Sequence, residues 1–110
     1  MEARVEEKGE VMVVRLEGRI DAHSSPQLEK QLQAIVDSGH FKFILNFEKV
    51  EYLSSAGMRL MLSISKKLKN LEGKLIACTM SEEVMDVIKM AGFHQVIEIY
   101  STEEESFSHI

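Results

Sequence analysis

The sequence predicts an α/β fold built on a mixed, mostly parallel β-sheet that begins with an antiparallel hairpin. Two strand-like runs flank Gly9 near the start of the chain, an arrangement that favours a hairpin. Farther along, short apolar runs typical of strands alternate with segments whose apolar residues recur at helical spacing. Such alternation implies parallel strands joined by right-handed helical crossovers. The predicted order is ββαβαβαβα, and the order of the strands within the sheet stays open.

The predicted hairpin and first helix occupy the first third of the chain. One strand begins at Val5, a second covers Val11–Leu16, and Gly18 ends the second strand. Ser25 is predicted as the N-cap of the first helix, followed by Pro26 at a position where a missing N–H costs nothing. The apolar face of this helix is formed by Leu28, Leu32, Ile35 and Val36.

The middle of the chain is predicted as a central strand followed by a long helix. Phe43–Phe47 is a strand that is apolar on both faces, as in a sheet covered on both sides. A short loop is expected next, and the helix then begins at Ser54 and Ser55 and ends at Gly73. Its predicted apolar stripe comprises Met58, Met61, Leu62, Ser65 and Leu68, widened by Leu60, Ile64 and Leu71.

The last part of the chain is predicted as strand, helix, strand and short helix. Leu75–Cys78 is a buried strand, and Val96–Ile99 is the final strand. Between them, Ser81 caps a helix that ends at Gly92. The core face of that helix is predicted at Val84, Val87, Ile88 and Ala91. Thr102–Glu105 has the form of a capping box and opens the fourth helix.

Size and composition limit the kinds of protein that this chain can be. Its 110 residues are 45% hydrophobic, which predicts one domain over residues 1–110 with a single core. Thirteen basic residues against 18 acidic ones give a net charge of −5, a poor basis for binding nucleic acid. A protein partner fits this charge better.

The sequence indicates a cytoplasmic protein that does not insert into membranes. Its first residues form no apolar signal segment, and no apolar run approaches the roughly 18 residues of a membrane helix. The single cysteine, Cys78, cannot form an internal disulfide and is expected as a reduced, buried thiol.

Motifs of the common enzyme classes are missing from the sequence. It contains neither GxGxxG nor GxxxxGK(S/T), and residues 53–57 lack the first glycine of GxSxG. The four histidines lie far apart, without metal-ligand spacing. The sequence therefore predicts a protein that is not an enzyme and that uses no metal or cofactor.

Ser54 and Ser55 form the candidate functional site, because they lie where the long helix begins. A serine at a helix start can accept a hydrogen bond from a backbone N–H that has no partner in the helix. One serine is enough for that task. The same helix end also favours an anion such as a phosphate.

Four segments together carry a resemblance to a known family. They are Leu16–Asp21, Phe43–Phe47, Tyr52–Met58 and Met90–Phe93, and their order and spacing are specific although each is weak alone. The chain resembles a stand-alone STAS domain and, within that family, the bacterial anti-sigma factor antagonists. The resemblance covers almost the whole chain and implies the STAS fold.

The resemblance also implies a phosphorylation site. Members of this group typically read Asp-Ser-(Ser/Thr)-Gly at this helix start, and the serine after the aspartate is phosphorylated. Aligned on Gly57, that acceptor is Ser55, with Ser54 as the alternative. Ser54 stands where the family has its aspartate, and Ala56 stands where it has the second hydroxyl residue.

What the resemblance implies about function is a partner switch. The unmodified protein binds an anti-sigma factor that is also a serine kinase, so that the sigma factor is released. Phosphorylation by that kinase separates the complex, and a serine phosphatase restores the unmodified protein. The alternative is a STAS module that is not phosphorylated and works inside a transporter-associated or stress-signalling complex.

The partner-binding surface is expected around the two serines. Its predicted residues are Asp21, His23, Ser24, Ser54, Ser55, Ala56, Gly57, Met58 and Arg59. By resemblance, Asp21 matches an aspartate before the first helix, and Asn46 replaces an acidic residue at the end of the central strand. Core packing is favoured over docking for Met58, and either close packing or a partner's approach explains Gly57. Arg59 belongs to a polar stripe close enough to the serines to contact a partner.

Overall fold

The computed structural model describes all residues, 1–110, and has the predicted order of elements. The strands are β1 Glu2–Lys8, β2 Val11–Ile20, β3 Lys42–Leu53, β4 Lys74–Cys78 and β5 Glu98–Tyr100. The helices are α1 Ser25–Asp37, α2 Ser55–Asn70, α3 Glu82–Met90 and α4 Glu103–Phe107, with a 3-10 turn at Phe93–Gln95. The predicted fold class is confirmed.

The strands lie side by side in the order in which they occur in the chain. β1 runs antiparallel to β2, and the pairs β2–β3, β3–β4 and β4–β5 are parallel. The register puts Val14, Leu45 and Ala77 in one row across the three central strands. The sheet is therefore mixed and mostly parallel, as predicted, and β1 and β5 are its two edges.

The sheet is buried on both faces, as the apolar central strand predicts. On one face, Phe43 and Phe47 join a main core of 22 buried residues that also includes the inner sides of α1, α2 and α3. On the other face, Ile44 packs in a smaller cluster that contains Cys78 and lies against Phe107 of α4. Burial raises the pKa of the Cys78 thiol, and the prediction of a buried cysteine is confirmed.

The strands of the first half are longer than predicted. β1 begins at Glu2, β2 continues through Gly18 to Ile20, and β3 continues to Leu53. Gly18 does not end a strand, and the short loop expected before Ser54 is absent. The central strand instead leads directly into α2, which fixes the helix start against the sheet.

Two bulges in β3 explain why the sequence pattern did not indicate this extension. Arg15 pairs with Asn46 and Glu17 pairs with Lys49, so β3 carries one extra residue between these pairs. A second extra residue, Glu51, lies where the register shifts again. A bulge interrupts the alternation of buried and exposed side chains by which a strand is recognised.

The first helix begins one residue earlier than predicted, and no side chain caps its start. Ser24 is its N-cap residue, and Ser25 is already the first residue of α1, next to Pro26. The reason is a helical turn that precedes α1, in which the N–H of Ser25 donates to the carbonyl oxygen of Asp21 at 2.9 Å. Ser25 is consequently buried rather than free to cap.

α2 buries only part of the predicted stripe. Its buried residues are Gly57, Leu60, Met61, Ile64 and Leu68, whereas Met58, Leu62 and Ser65 are only partly buried. The buried residues lie on the same face of the helix as Gly57, where α2 packs closely against the sheet. The helix ends at Asn70, ahead of Gly73, and Leu71 is 45% exposed.

In the second half of the chain, α3 buries fewer residues than predicted and β5 is shorter than predicted. α3 buries Val84 and Ile88 but leaves Val87 and Ala91 exposed, because this nine-residue helix meets the sheet along a narrow stripe. β5 begins at Glu98 rather than two residues earlier, because the 3-10 turn occupies the chain before it. The predicted caps of α3 and α4 are confirmed, with hydroxyls of Ser81 and Thr102 accepting backbone N–H groups.

Candidate functional site

Ser54 is the structural cap of α2. Its backbone is extended, and its Oγ accepts the N–H of Gly57 at 3.2 Å. Its own N–H donates to the carbonyl oxygen of Ile20 at 2.8 Å, which ties the helix start to the end of β2. The backbone N–H, the carbonyl oxygen and the hydroxyl oxygen of Ser54 are therefore all engaged in holding the fold.

Ser55 has a different environment although it is the next residue. It is the first residue of α2 and is exposed, and its hydroxyl takes part in no hydrogen bond. The first turn of α2 carries no acidic side chain, so the positive end of the helix dipole is not neutralised there. This hydroxyl is free to react, and the helix end would favour a negative charge on it.

Gly57 is a point of close packing between α2 and the sheet. A Cβ atom at this position would lie 2.6 Å from Cδ1 of Leu53 and 2.8 Å from Cγ2 of Ile20. Real Cβ atoms are almost never that close to another heavy atom, so a side chain here would displace the buried side chains of Leu53 and Ile20 or α2 itself. Of the two explanations open for Gly57, the structure supports packing inside the molecule.

The loop before α1 is held rigid by Asp21. Its Oδ1 accepts the N–H groups of His23 and Ser24, each at 3.0 Å. The hydroxyl of Ser24 donates to the carbonyl oxygen of Arg19 at 2.9 Å, which closes the loop onto β2. The hydrogen bond from the Ser24 backbone is the largest cause of a lowered pKa for the Asp21 carboxyl. Asp21 thus has a structural task in this loop.

This loop and the start of α2 enclose a groove of about 430 Å³. Ala22 and Ser25 line it from the α1 side, and Ala56, Arg59 and Ser63 line it from α2. Ala22 of the loop before α1 thus lies close to the start of α2, whereas the predicted residues Asp21, His23 and Ser24 do not line this groove. Met58, by contrast, packs partly against the main core, in line with its predicted role.

Two features of this region were missed in the sequence. Ser25 is 5% exposed, and its Oγ is buried without a hydrogen-bond partner. The guanidinium of Arg19 lies over the ring of Tyr52, 4.4 Å from its centre, two residues before Ser54. Neither feature has a sequence signal, because both depend on how closely separate elements approach.

Asn46 does not belong to this site. It lies in the middle of β3 rather than at the strand end, and it donates to Oε1 of Glu103 at 3.0 Å. Arg15 donates to the other oxygen of Glu103 at 2.9 Å. Asn46 therefore fastens α4 to the sheet, on the face opposite α2.

The chain holds no group of three or more His, Cys, Asp or Glu residues arranged to bind a metal ion. None of its helices is long and apolar enough to cross a membrane.

Comparison with known proteins identifies the family. The sequence model of the STAS domain matches residues 2–106. The chain belongs to the STAS domain family, as the resemblance of its four segments indicated.

The relatives of known name are antagonists of anti-sigma factors. BtrV of Bordetella bronchiseptica, whose name assigns it provisionally to that group, is 30% identical over 94 residues, or 86% of this chain and 81% of BtrV. The anti-sigma F factor antagonist of Paenibacillus polymyxa is 23% identical over 101 residues, or 91% of this chain and 86% of that protein. These names describe regulatory proteins that act on other proteins, and they agree with the prediction that the chain is not an enzyme.

A solved structure shares both the fold and more than a quarter of the sequence. The anti-sigma factor antagonist SpoIIAA in its unphosphorylated form has a TM-score of 0.82 and 27% identity, covering 97% of this chain and 94% of SpoIIAA. The phosphorylated form of SpoIIAA, from Bacillus, has a TM-score of 0.74 with 26% identity, covering 97% of each chain. Both forms of that protein thus retain the architecture seen here.

Proposed function

We propose that this protein is an anti-sigma factor antagonist controlled by phosphorylation of Ser55. Residues 1–110 act as one STAS domain whose partner is a protein rather than a nucleic acid. The unmodified protein binds an anti-sigma factor that has serine kinase activity, and the sigma factor is freed. Phosphorylation of Ser55 by that kinase releases the antagonist, and a serine phosphatase resets it.

The free hydroxyl of Ser55 is the observation that carries this proposal. A kinase needs a hydroxyl that is accessible and held in a defined position, and Ser55 is exposed on the first turn of a 16-residue helix. Ser54, the alternative acceptor, uses its hydroxyl to cap that helix. Phosphorylating Ser54 would modify the oxygen that caps the helix, whereas phosphorylating Ser55 disturbs no hydrogen bond of the fold.

The relatives support the class of protein that is proposed, an anti-sigma factor antagonist. BtrV and the Paenibacillus polymyxa protein carry the name of anti-sigma factor antagonists, and SpoIIAA has been solved in both an unphosphorylated and a phosphorylated form. A protein that exists in both forms is therefore among the structures to which this chain is similar.

The charge of the phosphate explains how one modification separates two proteins. A phosphoserine carries about −1.5 to −2 charges near neutral pH. On the free protein these charges face water and the positive end of α2. In a complex they would be desolvated beside the partner, and a loss of about 3 kcal/mol already weakens binding more than a hundredfold.

The proposal is tested by incubating the protein with the anti-sigma kinases of its host and ATP. Mass spectrometry then locates the phosphate, and a pull-down follows the complex. We expect one phosphate on Ser55, no phosphate on Ser55→Ala, and a complex that dissociates as phosphate accumulates.

Ser54→Ala is the matched control, since it removes the neighbouring hydroxyl and should still be phosphorylated. Phosphate on Ser54 in the unaltered protein would contradict the choice of Ser55. Neither phosphate nor a complex with any of these kinases would contradict the switch and favour an unphosphorylated STAS module of another assembly.

A further inference from the structure

Arg59 lies one helical turn after Ser55 on α2. Residues four apart on a helix are neighbours on its surface, so the two side chains can meet. Arg59 is exposed, and its guanidinium takes part in none of the ion pairs of the molecule. A free guanidinium beside a free hydroxyl is the arrangement that a phosphate on that hydroxyl would complete.

α2 offers Arg59 no other anionic partner. The helix contains no acidic residue, and its other charged residues are Lys66, Lys67 and Lys69. The one carboxylate that lines the same groove is that of Glu29 on α1, and it forms no ion pair with Arg59. A phosphate on Ser55 would therefore meet no competitor on its own helix.

The groove beside Arg59 is lined mainly by small side chains. Ala22 and Ser25 line it from the α1 side, and Ala56 and Ser63 line it from α2. Arg59 is the one cationic residue of this lining.

We propose that Arg59 is the internal counter-ion of the phosphorylated protein, pairing with the phosphate on Ser55 and holding it at the mouth of the groove between α1 and α2. This inference rests on the proposed function, because it takes Ser55 as the acceptor. In the unmodified protein the groove is open and Arg59 is free. In the modified protein the phosphate neutralises the charge of Arg59 and its oxygens lie at the groove. The modification therefore changes the charge of this surface as well as its shape.

The test uses phosphoserine incorporated at position 55 during translation, so that no kinase is needed. The phosphate is titrated by ³¹P NMR in the unaltered sequence and in Arg59→Gln. A paired guanidinium favours the doubly charged phosphate, and an ion pair between neighbouring turns should lower the second phosphate pKa by roughly 0.3. We expect this pKa to be higher in Arg59→Gln, and Arg59→Lys to lie between the two.

Lys66→Gln is the matched control, because it removes the same charge from the same helix about three turns away. We expect it to titrate like the unaltered phosphoprotein, and the effect of Arg59 to fade in about 1 M salt. Backbone amide shifts at Ala22 and Ser63, which line the groove, should respond to the phosphate less in Arg59→Gln.

Equal phosphate pKa values with and without Arg59 would overturn the inference, as would an equally large effect of Lys66→Gln. Either result would leave the choice of Ser55 as acceptor untouched, since that choice is decided by the kinase assay. Conversely, a kinase that ignores Ser55 would defeat the proposed function while the titration still reported on Arg59.

Discussion

At the scale of single residues, two adjacent serines have different tasks because the boundary of α2 runs between them. Ser54 lies outside the helix with an extended backbone, and from there its hydroxyl reaches the N–H of Gly57. Ser55 lies inside the helix, from which its side chain faces solvent. The sequence Ser-Ser predicts a cap and a candidate acceptor, and the helix boundary decides which serine is which.

The two serines should differ in how much each contributes to the stability of the fold. Ser54→Ala removes the cap of α2 and should lower the free energy of unfolding by about 1 kcal/mol. Ser55→Ala removes a hydroxyl without partners and should change it by less than about 0.5 kcal/mol. Urea unfolding of the two variants and the unaltered protein measures both changes in the free energy of unfolding. Equal losses, or a larger loss for Ser55→Ala, would contradict the assignment of the cap.

Gly57→Ala tests the close contact between α2 and the sheet. At an open helical position, replacing glycine by alanine stabilises a protein by about 1 kcal/mol. Here the new methyl group meets Leu53 and Ile20, and such overpacking should cost about 1–3 kcal/mol, so the net effect on unfolding should be a loss. A gain in stability would refute the contact.

A double-mutant cycle provides the control for Gly57→Ala. Leu53→Ala removes one of the two clashing side chains and is destabilising by itself, because Leu53 is buried. If the clash is real, the double variant should lose less stability than the sum of the two single losses. Simple additivity would indicate that the methyl group is accommodated elsewhere.

At the scale of elements, α4 is too short to be stable alone and depends on its attachment to the sheet. Glu103 supplies that attachment through Asn46 and Arg15. Partial burial raises the pKa of the Glu103 carboxyl, but these hydrogen bonds and the charges of Arg15 and Lys8 outweigh it and leave the pKa below its ordinary value of 4.5. The carboxylate form is therefore the one that stabilises the fold.

The pH dependence of stability tests this attachment. Because the pKa of Glu103 is lowered in the folded state, its contribution is complete above about pH 4.5 and is lost as the pH falls through the folded-state value. Glu103→Gln should lower the free energy of unfolding by about 1 kcal/mol at pH 7. Below pH 4.5 the free energy of unfolding of this variant should fall less steeply than that of the unaltered protein. Glu104→Gln, an exposed neighbour on the same helix, should behave like the unaltered protein. If the stability of Glu103→Gln and of Glu104→Gln declines equally as the pH falls, Glu103 is not the residue that attaches α4 to the sheet.

The elements also show what sequence patterns can and cannot predict. Helix starts at Ser81 and Thr102 follow from local chemistry, and the structure has them where expected. The length of β3 does not follow, because its bulges interrupt the alternation of side chains. The partnerless Ser25 and the groove that it lines depend on the spacing between α1 and α2, which no local pattern encodes.

At the scale of the whole molecule, the sheet order β1 to β5 puts the end of β2, the loop before α1 and the start of α2 at one surface. The strand order was not predicted, because alternation of helices and strands is compatible with several orders. The core lies behind this surface, and the charge of a phosphate at Ser55 would face away from it. The switch should therefore act through the surface and leave the fold intact.

Thermal unfolding tests whether the fold tolerates the charge. Ser55→Asp puts a carboxylate at the positive end of α2 and should leave the melting temperature within a few degrees of the unaltered protein, or raise it. Asn70→Asp is the matched control, since it adds the same charge at the negative end of the same helix and should lower stability slightly. A melting temperature about 10 °C lower for Ser55→Asp would mean that modification acts by unfolding.

The phosphorylation switch is tested by measuring how tightly the host's anti-sigma factor kinases bind this protein with serine or with phosphoserine at position 55. Calorimetric titration with the two forms, made without exposure to kinase, separates binding from modification. We predict a complex with one of these kinases for the serine form and binding weakened more than a hundredfold for the phosphoserine form. Equal affinities of the two forms would contradict the switch.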